Sequence, residues 1–237
     1  MAQSMYVKER DVMITAGHAQ LRGNLTIPEQ AQAIVAFVHG SGSSRFSSRN
    51  RAVAEALSQS GLATLLFDLL TEGEERIDQQ TREHRFDIPL LARRLAGTID
   101  WLRHREQTAH LPIGLFGAST GAAAALIAAA EQSSPEQESA AVRAVVSRGG
   151  RPDLAGDALG RVQVPVLLIV GGRDEPVIEL NEQAAAALTC KHRIVIVPGA
   201  THLFEEPGAL EQVASLAADW FGLHLVDRPT PSSPERP

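Results

Sequence analysis

The chain has 237 residues, 44% of them apolar and 21% charged, with a formal net charge of −6. That length suffices to bury one large core without help from metal or disulfide, and a single α/β domain over residues 1–225 is expected. The acidic balance argues against general affinity for nucleic acid or an anionic membrane surface. The single cysteine, Cys190, excludes a disulfide within the chain.

Met1 to Asp11 carries no apolar h-region, and no stretch approaches ~18 uninterrupted apolar residues. A cytoplasmic location with no membrane partner is the resulting expectation. Two antiparallel strands are predicted first, over Val7–Thr15 and Leu21–Ile27, turning at Gly17-His18. Short Val/Ile/Leu-rich runs follow at Ile34–Val38, Ala63–Phe67, Ile113–Gly117, Val142–Val146, Val166–Val170 and Arg193–Val197. Runs this continuously apolar suit strands covered on both faces.

Between them lie helical patterns. Arg51–Ser58 ends near Gly61. Ile88–Arg103 has Leu91, Leu95, Ile99 and Leu102 at helical spacing, with Asp87 and Pro89 as a start signal. Thr120–Ala130 is nearly all alanine, and Glu179–Leu188 and Gly208–Phe221 complete the set. Strand–helix alternation predicts a mostly parallel sheet with helices on both faces. Gln132–Ser139 reads as a polar loop. Residues 226–237, rich in Pro and Ser, read as a disordered tail. The charged stretch between Asp68 and Asp87 follows a strand and could border a substrate pocket, but reads first as a solvated surface loop held by charge pairs.

Gly117-Ala118-Ser119-Thr120-Gly121 has the form G-x-S-x-G between an apolar strand and an Ala-rich helix. Small residues are needed where a sharp strand-to-helix turn brings chains together, and such a turn lifts the serine hydroxyl above the sheet edge. The bland alternative is a helix N-cap. A serine hydroxyl is a weak nucleophile and needs a base, which in turn needs an orienting acid. Asp174 follows the strand Val166–Val170, and His202 follows the next strand, so both leave carboxyl ends of strands, where open α/β sheets place their sites. The order Ser, Asp, His matches an acyl-transfer triad, with Glu175 as the rival acid. An oxyanion hole is expected from the N–H groups of Thr120 and of Ser41, with Gly42 as second choice, in the loop His39-Gly40-Ser41-Gly42.

Together, His39-Gly40-Ser41-Gly42, Gly117–Gly121, Asp174 and Pro198-Gly199-Ala200-Thr201-His202 resemble the α/β-hydrolase superfamily. Segments such as Ser43–Asn50, Asp68-Leu69-Leu70-Thr71 and Arg85-Phe86-Asp87-Ile88 are similar to the dienelactone-hydrolase-like branch. The resemblance covers Val7 to Leu223. It implies the α/β-hydrolase fold, acyl-bond cleavage and no cofactor. Some similar domains are joined to a phosphoribosyltransferase domain, for which this chain is too short. Dienelactone hydrolases proper use a cysteine nucleophile. The serine at position 119 therefore does not carry their substrate over.

The remaining substrate-contact candidates are Gly42, Arg45, Phe46, Leu70, Arg148 and Phe204. The arginines could clamp a carboxylate or pair with loop acids, and the apolar residues could line an acyl pocket or close the core. Only Gly149–Val164 is available for a cap, so a minimal cap or none, and a small-molecule acyl substrate, are expected. No His spacing of the H-e-x-x-h kind points to a metal. The leading expectation is a serine hydrolase of small carboxylic esters. Thioester or amide cleavage, and a non-catalytic hydrolase-like binding domain, are the alternatives. Oligomeric state leaves no mark in the sequence.

Overall fold

Most of the apolar runs become strands buried on both sides, whereas the last, Arg193–Val197, lies at the sheet edge and stays partly exposed. A computed structural model describes residues 9–132 and 141–226. The strands are β1 (Arg10–Ala16), β2 (Ala19–Thr26), β3 (Ile34–Val38), β4 (Ala63–Phe67), β5 (Ile113–Ala118), β6 (Val142–Arg148), β7 (Val166–Gly171) and β8 (His192–Val197). They form one sheet in the order β1-β2-β4-β3-β5-β6-β7-β8. β2 pairs antiparallel with β1 and β4, and every other pairing is parallel. β3, β4, β5 and β7 are buried at every position. Both edge strands reach solvent: β1 alternates between exposed and more buried positions, and β8 is fully buried only at Val197.

The helices are α1 (Ser48–Gln59), α2 (Glu72–Thr81), α3 (Ile88–His104), α4 (Thr120–Gln132), α5 (Glu175–Ala187) and α6 (Ala209–His224). α1 and α6 cover one face of the sheet, packing Val53, Leu57, Val213 and Phe221 against Val35, Phe37 and Phe116. α3, α4 and α5 cover the other, where Leu91, Leu95, Leu126 and Ala184 meet Ile34, Ala36, Leu115 and Leu168. The alanine run of α4 lets that helix lie flat on the sheet, with ten of its thirteen residues buried. No described helix is long and apolar enough to cross a membrane.

Two elements differ from the sequence expectation. The Asp68–Asp87 stretch is not a surface loop, because ten of its residues form α2. Thr71 caps it, its side chain accepting from the Glu74 N–H while the Glu74 carboxylate accepts from the Thr71 N–H. This is a T-x-x-E capping box that lay in the sequence, masked by the helix's weak apolar face. The stretch also carries a buried ion pair. Asp78 is 1% exposed and accepts from the backbone N–H groups of His84 and Arg85 and from Arg85 Nε at 2.6 Å. Burial alone would raise the Asp78 pKa, but those donors outweigh it and hold the carboxyl below its usual range.

α5 begins one turn earlier than its apolar pattern suggests, because Pro176 fits the first turn of a helix. Between β6 and β7, Pro152–Arg161 forms a short 3₁₀ segment kinked at Gly156, in keeping with the minimal cap expected there. The expected loop at 133–139 and the expected tail beyond Val226 lie outside the described residues.

Candidate active site

The turn after β5 is built by steric necessity. Ser119 has φ 50°, a left-handed conformation that non-glycine residues adopt at a cost. Three glycines make the turn possible. A Cβ on Gly117 would sit 2.5 Å from Ala122 Cα, one on Gly121 would sit 2.5 Å from the His39 carbonyl oxygen, and one on Gly40 would sit 2.9 Å from Ser119 Cβ. The strand, the helix start and the loop after β3 therefore converge on Ser119 more closely than any side chain allows. The Ser119 N–H donates to the Arg148 carbonyl at 3.3 Å, and its carbonyl accepts from Ala122 and Arg151 N–H groups. Ser119 is thus tied to the end of β6 as well as to α4.

At the adjacent strand ends, Asp174 and His202 meet. Asp174 occupies the N-cap position of α5, where an aspartate normally accepts from the helix's own N–H groups. Here its side chain makes no capping bond. Instead Asp174 Oδ2 lies 2.6 Å from His202 Nδ1. The Asp174 side chain is 14% exposed and that of His202 38%, so the imidazole reaches the surface while the carboxylate behind it is shielded. A carboxylate at that distance fixes the proton on Nδ1 and leaves Nε2 as the basic nitrogen. The loop is braced by Glu206, whose carboxylate accepts from the Thr201 N–H at 3.1 Å, and by buried Phe204 at φ 56°. A Cβ on Gly149 would sit 3.6 Å from His202 Cε1, so the imidazole packs over the β6 turn that also holds Ser119. Among the described residues the Asp174–His202 bond is formed, whereas Ser119 Oγ makes no hydrogen bond to His202. Such bonds commonly tighten only when substrate is present.

The loop after β3 faces the same point. His39 Nδ1 lies 2.9 Å from the Gly40 carbonyl oxygen, and Nε2 accepts from the Leu69 N–H at 3.1 Å. One neutral tautomer satisfies both contacts, with the proton on Nδ1. Burial lowers the His39 pKa below its ordinary 6.5, against the opposing pull of the Gly40 carbonyl. The unfolded chain therefore takes up a proton near pH 6.5 that the folded chain resists. Stability is full above that pH and falls as pH drops through it toward the folded-state value. Urea unfolding between pH 7 and about 5 is expected to show this loss, and a His39→Gln variant is expected to show less of it. Equal pH slopes in the two proteins would contradict the assignment. The Ser41 N–H donates to Thr120 Oγ1 at 2.9 Å, a contact between residues far apart in the chain that sequence reasoning missed. The Thr120 N–H, at the start of α4, has no acceptor among the described residues.

Residues 31–216 match the family model described as "Alpha/beta hydrolase domain". The chain belongs to the α/β-hydrolase family. Within it the chain is dienelactone-hydrolase-like. It is 59% identical to a dienelactone hydrolase from Anabaena variabilis, with a TM-score of 0.88 over 92% of this chain and 99% of that one. The fold is shared with Est1E from Butyrivibrio proteoclasticus, at a TM-score of 0.72 and 17% identity over 89% of this chain and 97% of that one. The chain is also 58% identical, over 95% of its length, to a Mycobacterium tuberculosis protein named "Putative phosphoribosyl transferase". It spans 48% of that relative, about half the length of the curated proteins it matches.

Around this sheet edge, the rim candidates divide. Arg45 is ion-paired with Asp68, which also accepts from the Arg45 N–H at 2.9 Å, and its guanidinium stacks on Phe46. Phe46 is 59% exposed, whereas Leu70 and Phe204 are buried. Arg148 is 6% exposed. It donates to Asn50 Oδ1 at 3.3 Å and lies 5.8 Å from the Phe204 ring centroid. Burial, with Arg49 nearby, brings its pKa down to about 10, so it remains a cation at neutral pH beneath the His202 loop. Gly42 has φ 69°, and a Cβ there would sit 3.1 Å from Arg85 Nη1. The Asp78–Arg85 pair thus buttresses the loop after β3, a role invisible while the 72–85 stretch is read as solvated. Cys190 is half-buried between α5 and β8, and burial raises its thiol pKa. A groove of about 960 Å³ lies away from this edge, between α1 and the β2–β4 side of the sheet, and contains none of the three triad candidates.

Proposed function

We propose that the protein is a serine hydrolase that cleaves small carboxylic esters through an acyl-serine intermediate. Ser119 is the nucleophile, His202 the general base and Asp174 the orienting acid. The observation that carries this reading is the 2.6 Å bond between Asp174 Oδ2 and His202 Nδ1, at the sheet edge where Ser119 stands in a left-handed turn. His202 Nε2 accepts the Ser119 proton as Oγ attacks the carbonyl carbon. Asp174 stabilises the imidazolium that results. The C=O electron pair moves to oxygen, where donors at the start of α4 offset the charge. His202 then delivers its proton to the departing alkoxide, and water repeats the sequence to release the acid.

The size of the substrate follows from what stands between β6 and β7. A 3₁₀ segment of ten residues replaces a cap, which leaves the edge open and gives little apolar wall to a long acyl chain. The activity named for the longer relative is a property of a protein about twice this length. The present reading rests on residues within 31–216, the stretch that matches the hydrolase family. p-Nitrophenyl acetate is expected to be hydrolysed with higher kcat/KM than p-nitrophenyl laurate, as measured by chromophore release. A preference for laurate would overturn the small-substrate reading. Hydrolysis of acetyl thioesters but not of oxygen esters would overturn the ester assignment while retaining the triad.

A further inference from the structure

The expected oxyanion donor Ser41 N–H is already occupied, and its occupant is itself a donor. Thr120 is 5% exposed, and its Oγ1 accepts from the Ser41 N–H at 2.9 Å. The hydroxyl's own proton has no acceptor among the described residues, and the N–H of the same residue has none either. Both donors sit one residue beyond Ser119. Gly40 presses the loop that supplies the Ser41 N–H against Ser119, with 3.7 Å between the position of a Gly40 Cβ and Ser119 Oγ. The Leu69 N–H, which donates to His39 Nε2, and the Arg85 side chain hold that loop from behind.

We propose that the Thr120 hydroxyl is a catalytic oxyanion donor, polarised by the Ser41 N–H, so that Ser41 acts through it rather than on the substrate directly. This rests on the serine-hydrolase reading above. A hydroxyl that accepts one hydrogen bond becomes a stronger donor of the next. As Ser119 Oγ bonds to the carbonyl carbon and the π pair moves to oxygen, the Thr120 O–H and N–H both donate to that oxygen. No proton is transferred, and when the C=O bond re-forms both donors return to their resting state. The arrangement satisfies the Ser41 N–H before substrate arrives, so the hole is organised in advance of the chemistry.

Thr120→Val keeps the shape and removes the hydroxyl, whereas Thr120→Ser keeps the hydroxyl. With p-nitrophenyl acetate, the valine variant is expected to lose about 10²- to 10³-fold in kcat, as for removal of one oxyanion donor, with little change in KM. The serine variant is expected to stay near the parent. Affinity for a trifluoromethyl ketone, which forms a tetrahedral adduct, is expected to fall in the valine variant alongside kcat, while affinity for the product acetate does not. Thr120→Ala provides the same comparison if the valine variant fails to fold. A hydroxyl-free variant that folds and keeps the parental kcat, in an active parent, overturns this inference alone. So does a serine variant as impaired as the valine one. A folded parent that hydrolyses no ester overturns the serine-hydrolase reading as well.

Discussion

Ser119→Ala is expected to lower ester turnover by about 10⁶-fold while the protein stays folded, as loss of a triad nucleophile does in enzymes where the triad acts as a unit. The size of the effect follows from chemistry, since no other group at the turn can take the place of Oγ. Stability is expected to stay within about 0.5 kcal/mol of the parent, because the hydroxyl is unbonded to His202 and leaves no buried partner behind. The three glycines that let the backbone adopt φ 50° at this position are untouched. Melting temperature and kcat, measured on the same preparation, check both halves. Parental kcat in the alanine variant contradicts the assignment, and a collapsed melting transition contradicts the claim that the turn is held by backbone and glycine geometry.

Asp174→Asn is expected to cost about 10⁴-fold in kcat with the site otherwise intact. The carboxylate accepts from Nδ1 and so leaves Nε2 free to take the serine proton. An amide at the same place can present an N–H toward Nδ1. That favours the opposite tautomer, with the proton on Nε2, where it faces Ser119 and cannot serve as a base. Asp174 makes no capping bond to α5, so the substitution removes no helix cap and the loss should appear in kcat rather than in stability. Glu175, which begins α5, is the comparison. Glu175→Gln is expected to leave kcat near the parent, and a larger loss there than in Asp174→Asn would transfer the role.

Much of this architecture was legible from residue patterns because its strands are buried on both sides. Val166–Gly171 and Ile113–Ala118 are apolar at almost every position, and a parallel sheet flanked by helices is what such runs build. The triad candidates were legible for a related reason. Each leaves the carboxyl end of a strand, so recognising the strands puts Ser119, Asp174 and His202 along one edge. What was hidden lay where local pattern and tertiary role diverge. α2 has a polar sequence that looks solvated, although its Asp78 is buried because Arg85 folds back onto it. α5 seemed to begin after Pro176, although proline suits a first turn. Arg148 reads from the sequence as either a carboxylate clamp or the partner of a loop acid, yet its side chain turns under the His202 loop toward Asn50 and Phe204. The Ser41–Thr120 bond joins two loops that only the folded sheet brings together, and no spacing rule announces it.

The same distinction explains why the loop after β3 matters more than its glycine–serine composition suggests. Leu69, Arg85 and Thr120 reach it from three different parts of the chain, so its position is set by the surrounding structure and not by its own weak preferences. A loop held in this way loses little entropy when substrate binds, which is what pre-organised stabilisation of a developing charge requires.

The most direct measurement treats the folded protein with a fluorophosphonate and locates the adduct by peptide mass spectrometry. Stoichiometric phosphonylation at Ser119 is expected, strongly slowed in His202→Ala, whose missing base leaves the hydroxyl unactivated. An unmodified folded protein, or an adduct on any other residue, would contradict the assignment of Ser119.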